Sequence, residues 1–172
     1  MKKARLYLIG LLIAPILMGC VPSKAKGFSI YLLASEEIPA AELLPVDLNE
    51  IELQEEPLLS GDDIIKYSKD THEIEITVEA YERIQQLYSP PVEVGGIPFV
   101  VCVGRDPVYA GAFWTPVSSL SFDGVVICQP HYSDKHIIKI GLGYPTSEAF
   151  TGKDPRSDPR ILESLEAAGK LK

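Results

Sequence analysis

The alternation of apolar and polar residues along the chain predicts short strands separated by turns and short helices. Two apolar runs are continuous and flank the turn Gly104–Pro107, which is typical of a central hairpin whose strands are covered on both faces. Strands are expected at Phe28 to Leu32, His72 to Val78, Ile97 to Val103, Val108 to Trp114, Val125 to Cys128 and Ile137 to Leu142. Because His72 begins a strand with one polar face, we expect its side chain to be exposed.

Three helical segments are predicted from their capping residues. Thr77 can cap a helix whose apolar residues recur at three- and four-residue spacing until Pro90 stops it. Asp158–Pro159 begins a C-terminal helix with a narrow apolar stripe, so we expect that helix to dock loosely. Ser60 and Asp63 form a capping pattern, and the apolar residues after them predict one or two helical turns.

These elements indicate an α+β fold: a single two-layer domain with a mostly antiparallel sheet and short helices on one face. The chain has 172 residues, of which 46% are hydrophobic and 23% charged, which is ordinary for one folded domain. Its formal net charge of −8 argues against nucleic acid and against an anionic membrane surface as partners. The predicted organisation is residues 1–19 as a signal peptide, 20–26 as a tether, 27–145 as the domain, and 146–172 as a polar linker and C-terminal helix.

The N-terminus resembles a bacterial lipoprotein signal. Lys2, Lys3 and Arg5 precede an uncharged run from Leu6 to Gly19, which is too short to cross a bilayer and ends at Cys20. The sequence Leu-Met-Gly-Cys at this point is similar to a lipobox, in which the signal is cut before the cysteine and the cysteine is lipidated. The resemblance implies a protein held on the extracytoplasmic face of the cell membrane through acyl chains on Cys20, such as palmitate.

Removal of the signal would change both the charge and the cysteine count. The mature chain would lose three basic residues and no acidic ones, which leaves 13 basic against 24 acidic side chains and a net charge of −11. Cys102 and Cys128 would then lie in an oxidising compartment. Two alternatives stay open for them: buried thiols, or a disulfide between neighbouring strands.

Part of the mature chain resembles the extracytoplasmic domain of SecD-type protein-export subunits. The similar segments are Leu58–Ile64, Glu75–Ala80 and Pro98–Val108, which follow the order of a Leu-x-Gly-Asp turn, a strand that runs into a helix, and an apolar hairpin. The turn Gly104–Asp106 departs from the Asp-Gly turn of that family. The resemblance implies a fold that contacts other proteins, and it supplies no catalytic residues.

Few residues suggest chemistry. His131, Asp134 and His136 lie within one predicted turn and are the candidate ligands of a metal ion such as zinc or copper, although Lys135 beside them would repel a cation. The chain contains no nucleophile motif and no glycine-rich phosphate loop, so we expect neither an enzyme nor a cofactor. The alternative is an extracytoplasmic, metal-assisted enzyme that uses these three side chains.

Trp114 is the candidate contact residue for a partner. It lies at the end of a predicted strand and points away from the side shared by Tyr109 and Phe113, and exposed tryptophans at such positions often anchor protein contacts. The function predicted from the sequence is therefore an interaction or ligand-binding module of the cell envelope, with an envelope protein as the expected partner.

Overall fold

A computed structural model describes residues 27–35, 40, 47–130 and 135–172. Seven strands and two α-helices follow one another in these residues. The strands are β1 (Phe28–Leu32), β2 (Ile64–Ser68), β3 (Glu73–Ile76), β4 (Ile97–Val103), β5 (Asp106–Trp114), β6 (Phe122–Cys128) and β7 (Ile137–Tyr144). The helices are α1 (Val78–Gln86) and α2 (Pro159–Ala167). In the described part of the chain, no helix has the length and apolar character needed to span a membrane.

All seven strands form one sheet in the order β1-β4-β5-β6-β7-β3-β2. Every neighbouring pair is antiparallel except β5 and β6, which are parallel. The two edge strands approach each other, because the ring of Phe28 in β1 lies 6.2 Å from that of Tyr67 in β2, and Ile30 exchanges backbone hydrogen bonds with Leu59 in the segment before β2. The predicted α+β fold with a mostly antiparallel sheet is therefore confirmed.

Both helices pack into the main core on one face of the sheet. The Thr77 side chain caps α1 at the Ala80 amide, and Asp158 caps α2 at the Arg160 amide, as their sequence patterns predict. Each helix buries a narrow apolar stripe against the strands. The buried helical residues are Ala80, Tyr81, Ile84, Ile161 and Leu165.

The C-terminal helix is part of this core, so the expectation of loose docking is wrong. Ile161 is 0% and Leu165 1% exposed. After the helix, the Tyr67 amide donates to the Lys170 carbonyl at 2.8 Å, and the Lys172 amide donates to the Tyr67 carbonyl at 2.8 Å. These bonds extend the sheet beyond β2. Helix α2 and the residues after it therefore pack with the rest of the domain.

The segment after Asp63 is a strand rather than the predicted helix. Ser60 and Asp63 do form a capping box, but it closes only the short 3₁₀ turn Gly61–Asp63. A bulge in β2 between Ile64 and Lys66 then shifts the register, so that Ile64 and Tyr67 both face the core. Because the bulge turns a two-residue period into a three-residue spacing, the apolar pattern imitates that of a helix.

Candidate functional site

A cleft opens where the two parallel strands part. The ladder between β5 and β6 begins only at Gly111 and Val125, and the residues before these two are not paired across the gap. We call this opening the β5–β6 cleft. It has a volume of about 460 Å³ and is lined mainly by apolar groups. Its walls are Val108–Ala110 from β5, Asp123–Val125 from β6, and Leu48, Phe150–Lys153 and Pro155 from the adjoining loops.

The mouth of the cleft is held by a hydrogen-bonded pair. Asp123 accepts from the Thr151 amide at 2.8 Å through Oδ1 and from the Thr151 hydroxyl at 2.5 Å through Oδ2. The Thr151 hydroxyl and amide lower the pKa of the Asp123 carboxyl, which is therefore ionised at neutral pH. Lys153 is the other charged residue of the lining. The arrangement gives an apolar cleft with one negative and one positive side chain at its rim.

Gly111 marks the inner end of the cleft. A Cβ atom at this position would lie 2.6 Å from the Val125 carbonyl oxygen and 2.5 Å from Cζ of Phe99. Only glycine therefore lets β5 approach β6 closely enough to begin the ladder here. The absence of a side chain at Gly111 fixes the point at which the two strands part.

Tyr109 lies at the inner wall of the cleft and extends into the main core. Its hydroxyl is buried and finds no hydrogen-bond partner in the part of the chain that the structure describes. Burial raises the pKa of Tyr109 well above the ordinary value for tyrosine, so the phenol stays neutral. A buried hydroxyl without a partner is uncommon in native proteins. Tyr109 therefore places one polar group among the mainly apolar groups of this wall.

A second tyrosine of the main core, Tyr67, is hydrogen-bonded to a histidine. The Tyr67 hydroxyl and Nδ1 of His72 are 2.9 Å apart, and the two rings meet edge to face. His72 is only 8% exposed, so the prediction that it is exposed was wrong. Its backbone is left-handed, with φ of 52°. Burial raises the pKa of Tyr67 to about 12 and lowers that of His72.

The C-terminal segment adds an ion pair to this region. Asp154 accepts from Nε and Nη2 of Arg156 at 2.9 and 2.7 Å, and Nη1 of the same arginine donates to the Ile140 carbonyl at 2.9 Å. The hydrogen bond from the Arg156 side chain lowers the pKa of Asp154. We call Tyr67, His72, Tyr109, Asp154 and Arg156 the polar cluster. The first three are buried, Arg156 is half-buried and Asp154 is exposed.

Trp114 is not the exposed anchor that the sequence predicts. It points away from Phe113, as expected, but it is only 2% exposed. Its ring stacks on Phe122 with centroids 5.0 Å apart, and Tyr144 lies 5.7 Å away. The face opposite the main core thus has a small core of its own, completed by Ala40. Trp114 belongs to that second core and is not available to a partner.

The structure excludes a bridge between Cys102 and Cys128, because both are free thiols. Their strands are not neighbours, since β5 lies between β4 and β6. Cys102 is opposite Pro107 and Cys128 is opposite Trp114, so along β5 they are separated by seven residues, or about 23 Å. A disulfide needs Cα atoms within about 7 Å. The buried-thiol alternative holds for Cys102, whereas Cys128 is exposed.

The remaining predicted site residues are only partly described. His136 lies with its ring edge-on to Tyr81, at 5.1 Å between centroids. His131, Asp134 and the lipidation candidate Cys20 lie outside the described residues. Among the residues that are described, no three His, Cys, Asp or Glu side chains come together as a metal site would require.

The sequence does not reveal this cluster directly, because its members come from three separate parts of the chain. One signal does exist: the tripeptide Asp-Pro-Arg occurs twice, at 154–156 and 158–160. In both copies the aspartate accepts from the backbone amide and the side chain of the arginine. Arg156 also donates to the Ile140 carbonyl of β7, whereas Arg160 is exposed and, within the described residues, its side chain hydrogen-bonds only to Asp158.

No protein-family model matches the chain, and neither a curated protein nor a solved structure shows significant similarity to it.

Proposed function

We propose that this chain is a lipid-anchored protein on the extracytoplasmic face of the bacterial cell membrane, and that it acts as an interaction or ligand-binding module through the β5–β6 cleft. The observation that carries the binding role is the cleft itself. Its apolar walls come from two strands and two loops, and its mouth is fixed by Asp123 and Thr151. Mostly apolar clefts with a few placed polar groups are the usual form of a binding site.

The anchor is supported by the sequence around Cys20. A basic head, a short apolar run and the Leu-Met-Gly-Cys ending occur in the order that a lipoprotein signal requires. Two or more acyl chains would hold the domain stably, at about 0.8 kcal/mol for each buried methylene. The resemblance to the extracytoplasmic domain of SecD-type subunits favours a protein of the envelope as the partner.

The anchor is tested by cell fractionation and mass spectrometry. The wild-type chain should be found in the membrane fraction, with an N-terminal peptide that starts at an acylated Cys20. A Cys20→Ser variant should lose the acyl mass and should not be cut at this position. Recovery of the wild-type chain in the soluble fraction with residues 1–19 still attached would contradict the proposal.

The cleft is tested by photo-crosslinking in intact cells. A photoreactive amino acid at Val108 would probe the cleft wall, and the same amino acid at Val117 is the matched control, because Val117 is 71% exposed and lies outside the cleft. The proposal expects a specific adduct from position 108 only. The purified partner should then bind the wild type more tightly than a Val108→Asp variant whose circular dichroism is unchanged. Identical adducts from both positions would refute the role of the cleft.

A further inference from the structure

A second pocket lies at the end of the sheet opposite the turn between β4 and β5. It opens between the last residues of β1, the first residues of β4 and the C-terminal end of α1, and we call it the β1–α1 pocket. Its volume is about 340 Å³, which is within the range of small-ligand sites, and it shares no lining residue with the β5–β6 cleft. Six of its nine lining residues are apolar, and the other three are Ser35, Gln54 and Glu93.

The apolar part of the pocket is preformed. Leu32, Leu87 and Ile97 are partly buried, and they pack against the main core. The wall beside β1 is fixed by the backbone, because the Gln54 amide donates to the Leu32 carbonyl at 3.0 Å. A ligand with an apolar body would therefore bury surface here without first ordering the chain, which favours binding.

The charge of the lining comes from Glu93. This side chain is exposed, and no lysine, arginine or histidine among the described residues lines the pocket with it. Oε1 of Glu93 accepts from the Gly95 amide at 2.9 Å, which holds the carboxylate in one position. A carboxylate has about four acceptor sites on its two oxygens, so Glu93 can accept further hydrogen bonds from a bound group. The pocket thus offers acceptors to a cation and no positive charge that would bind an anion.

The C-terminal end of α1 adds to this negative potential. The carbonyl end of a helix carries a partial negative charge, and Leu87, the C-cap of α1, is part of the pocket wall. Arg83 is the basic residue of the last turn, but it pairs with Asp63 at 2.8 Å and does not line the pocket. The whole chain has a formal net charge of −8, so its long-range field also attracts cations. The local and the overall charge therefore favour the same class of ligand.

We propose that the β1–α1 pocket binds a small organic cation, namely a primary ammonium group on an apolar body. The apolar body packs against Leu32, Leu87 and Ile97, and the ammonium group donates to the Glu93 carboxylate. At about 30 Å³ for each water-sized group, the pocket has room for roughly eleven non-hydrogen atoms, which sets the size of the ligand. The proposal does not rest on the function proposed for the β5–β6 cleft.

The proposal is tested with three probes that share one alkyl chain and differ in charge: hexylammonium, 1-hexanol and hexanoate. Each is titrated into the full chain at neutral pH and low salt, and the affinity is taken from the NMR shifts of the Leu87 and Ile97 methyl groups. We expect hexylammonium to bind about fivefold more tightly than 1-hexanol, and hexanoate to bind more weakly than either. Added salt at about 0.5 M should remove most of the advantage of the cation, because it screens the charges.

Glu93→Gln separates the charge of the carboxylate from the shape of the pocket. The variant should bind hexylammonium about fivefold more weakly, and it should bind 1-hexanol as the wild type does. Glu148→Gln is the matched control, because Glu148 is also exposed but does not line the pocket, and it should leave all three affinities unchanged. Equal weakening in the two variants would show a general effect of net charge and would overturn the proposal.

A second variant avoids any change at Glu93 and its bond to Gly95. Gln54 is exposed in the lining, so Gln54→Lys adds a cation to the pocket at a position that does not require burial. This variant should bind hexylammonium more weakly and hexanoate more tightly than the wild type does, because the sign of the local charge is changed.

Three further results would each overturn the proposal. The first is equal affinity of the wild type for hexylammonium and 1-hexanol, and the second is a Gln54→Lys variant that binds hexylammonium as the wild type does. The third is a titration in which the Leu87 and Ile97 resonances do not move, or in which the shifts fall at Val108 of the β5–β6 cleft instead.

Discussion

A Gly111→Ala substitution tests whether the close approach of β5 and β6 fixes the cleft. The new methyl group would lie 2.6 Å from the Val125 carbonyl oxygen and 2.5 Å from Cζ of Phe99. Neither neighbour can yield easily. The first is a backbone atom at the start of the ladder, and the second belongs to a ring that is 0% exposed in the main core.

The size of the effect follows from three contributions. Overpacking a tight site destabilises a protein by about 1–3 kcal/mol. A weakened hydrogen bond at the start of the ladder adds about 0.5–1.5 kcal/mol. Replacing glycine by alanine restricts the unfolded chain, which stabilises the folded protein by about 0.4–1 kcal/mol. The net expectation is a loss of about 2 kcal/mol in the free energy of unfolding.

The assay is urea unfolding followed by tryptophan fluorescence, because Trp114 is the single tryptophan and is buried. Gly141→Ala is the matched control. It also lies in the sheet, but the nearest atoms to its new methyl group are Cγ2 and the carbonyl oxygen of Val126, at 3.3 and 3.6 Å. The control should therefore change stability by no more than about 1 kcal/mol.

Equal stability of the two alanine variants would refute this reasoning. It would mean that β5 and β6 have room to separate at Gly111, so that the ladder does not determine where the cleft ends. A Gly111→Ala protein that loses stability as expected should also give a changed crosslinking pattern from Val108, since the cleft wall must move to admit the methyl group.

Three further predictions concern residues whose roles the structure revised. Trp114→Ala should lower the free energy of unfolding by about 3–5 kcal/mol in urea melts followed by circular dichroism. A change below about 1 kcal/mol would contradict the burial of this side chain. Leu165→Ala should destabilise by about 2–5 kcal/mol, whereas Leu120→Ala, at a residue 52% exposed, should have little effect; equal values would mean that α2 docks loosely. Iodoacetamide should alkylate Cys128 but not Cys102 in the native protein, and mass spectrometry of unreduced digests should find no peptide in which the two are joined.

The sequence predicted those elements whose signals are local. The strand at Glu73–Ile76 shows its two-residue alternation in the sequence itself, and α1 and α2 follow directly from Thr77 and Asp158 as caps. Where a local signal was ambiguous, the prediction failed. The bulge in β2 gave Ile64–Ser68 the spacing of a helix, and only its pairing with β3 shows that it is a strand.

The candidate site depends on contacts between distant residues, which a single sequence does not reveal. Trp114 is at a strand end, but its exposure is decided by Phe122 and Tyr144. His72 precedes a strand with a polar face, but its ring lies against Tyr67 and is buried. The parallel pairing of β5 and β6 was also unexpected, because connections between parallel strands usually need a dozen or more residues and here only 115–121 are present.

The pairing of Tyr67 with Leu171 has a consequence for how the chain acquires its structure during synthesis. The hairpin of β4 and β5 can form as soon as Trp114 has been made. The outer edge of β2 cannot pair with Leu171 until that residue has been synthesised. Until α2 is complete, the part of the hydrophobic core that α2 covers stays exposed. Contacts between residues so far apart in sequence form slowly. The domain therefore closes in one late step, and for most of its synthesis it is a chain with an incomplete hydrophobic core.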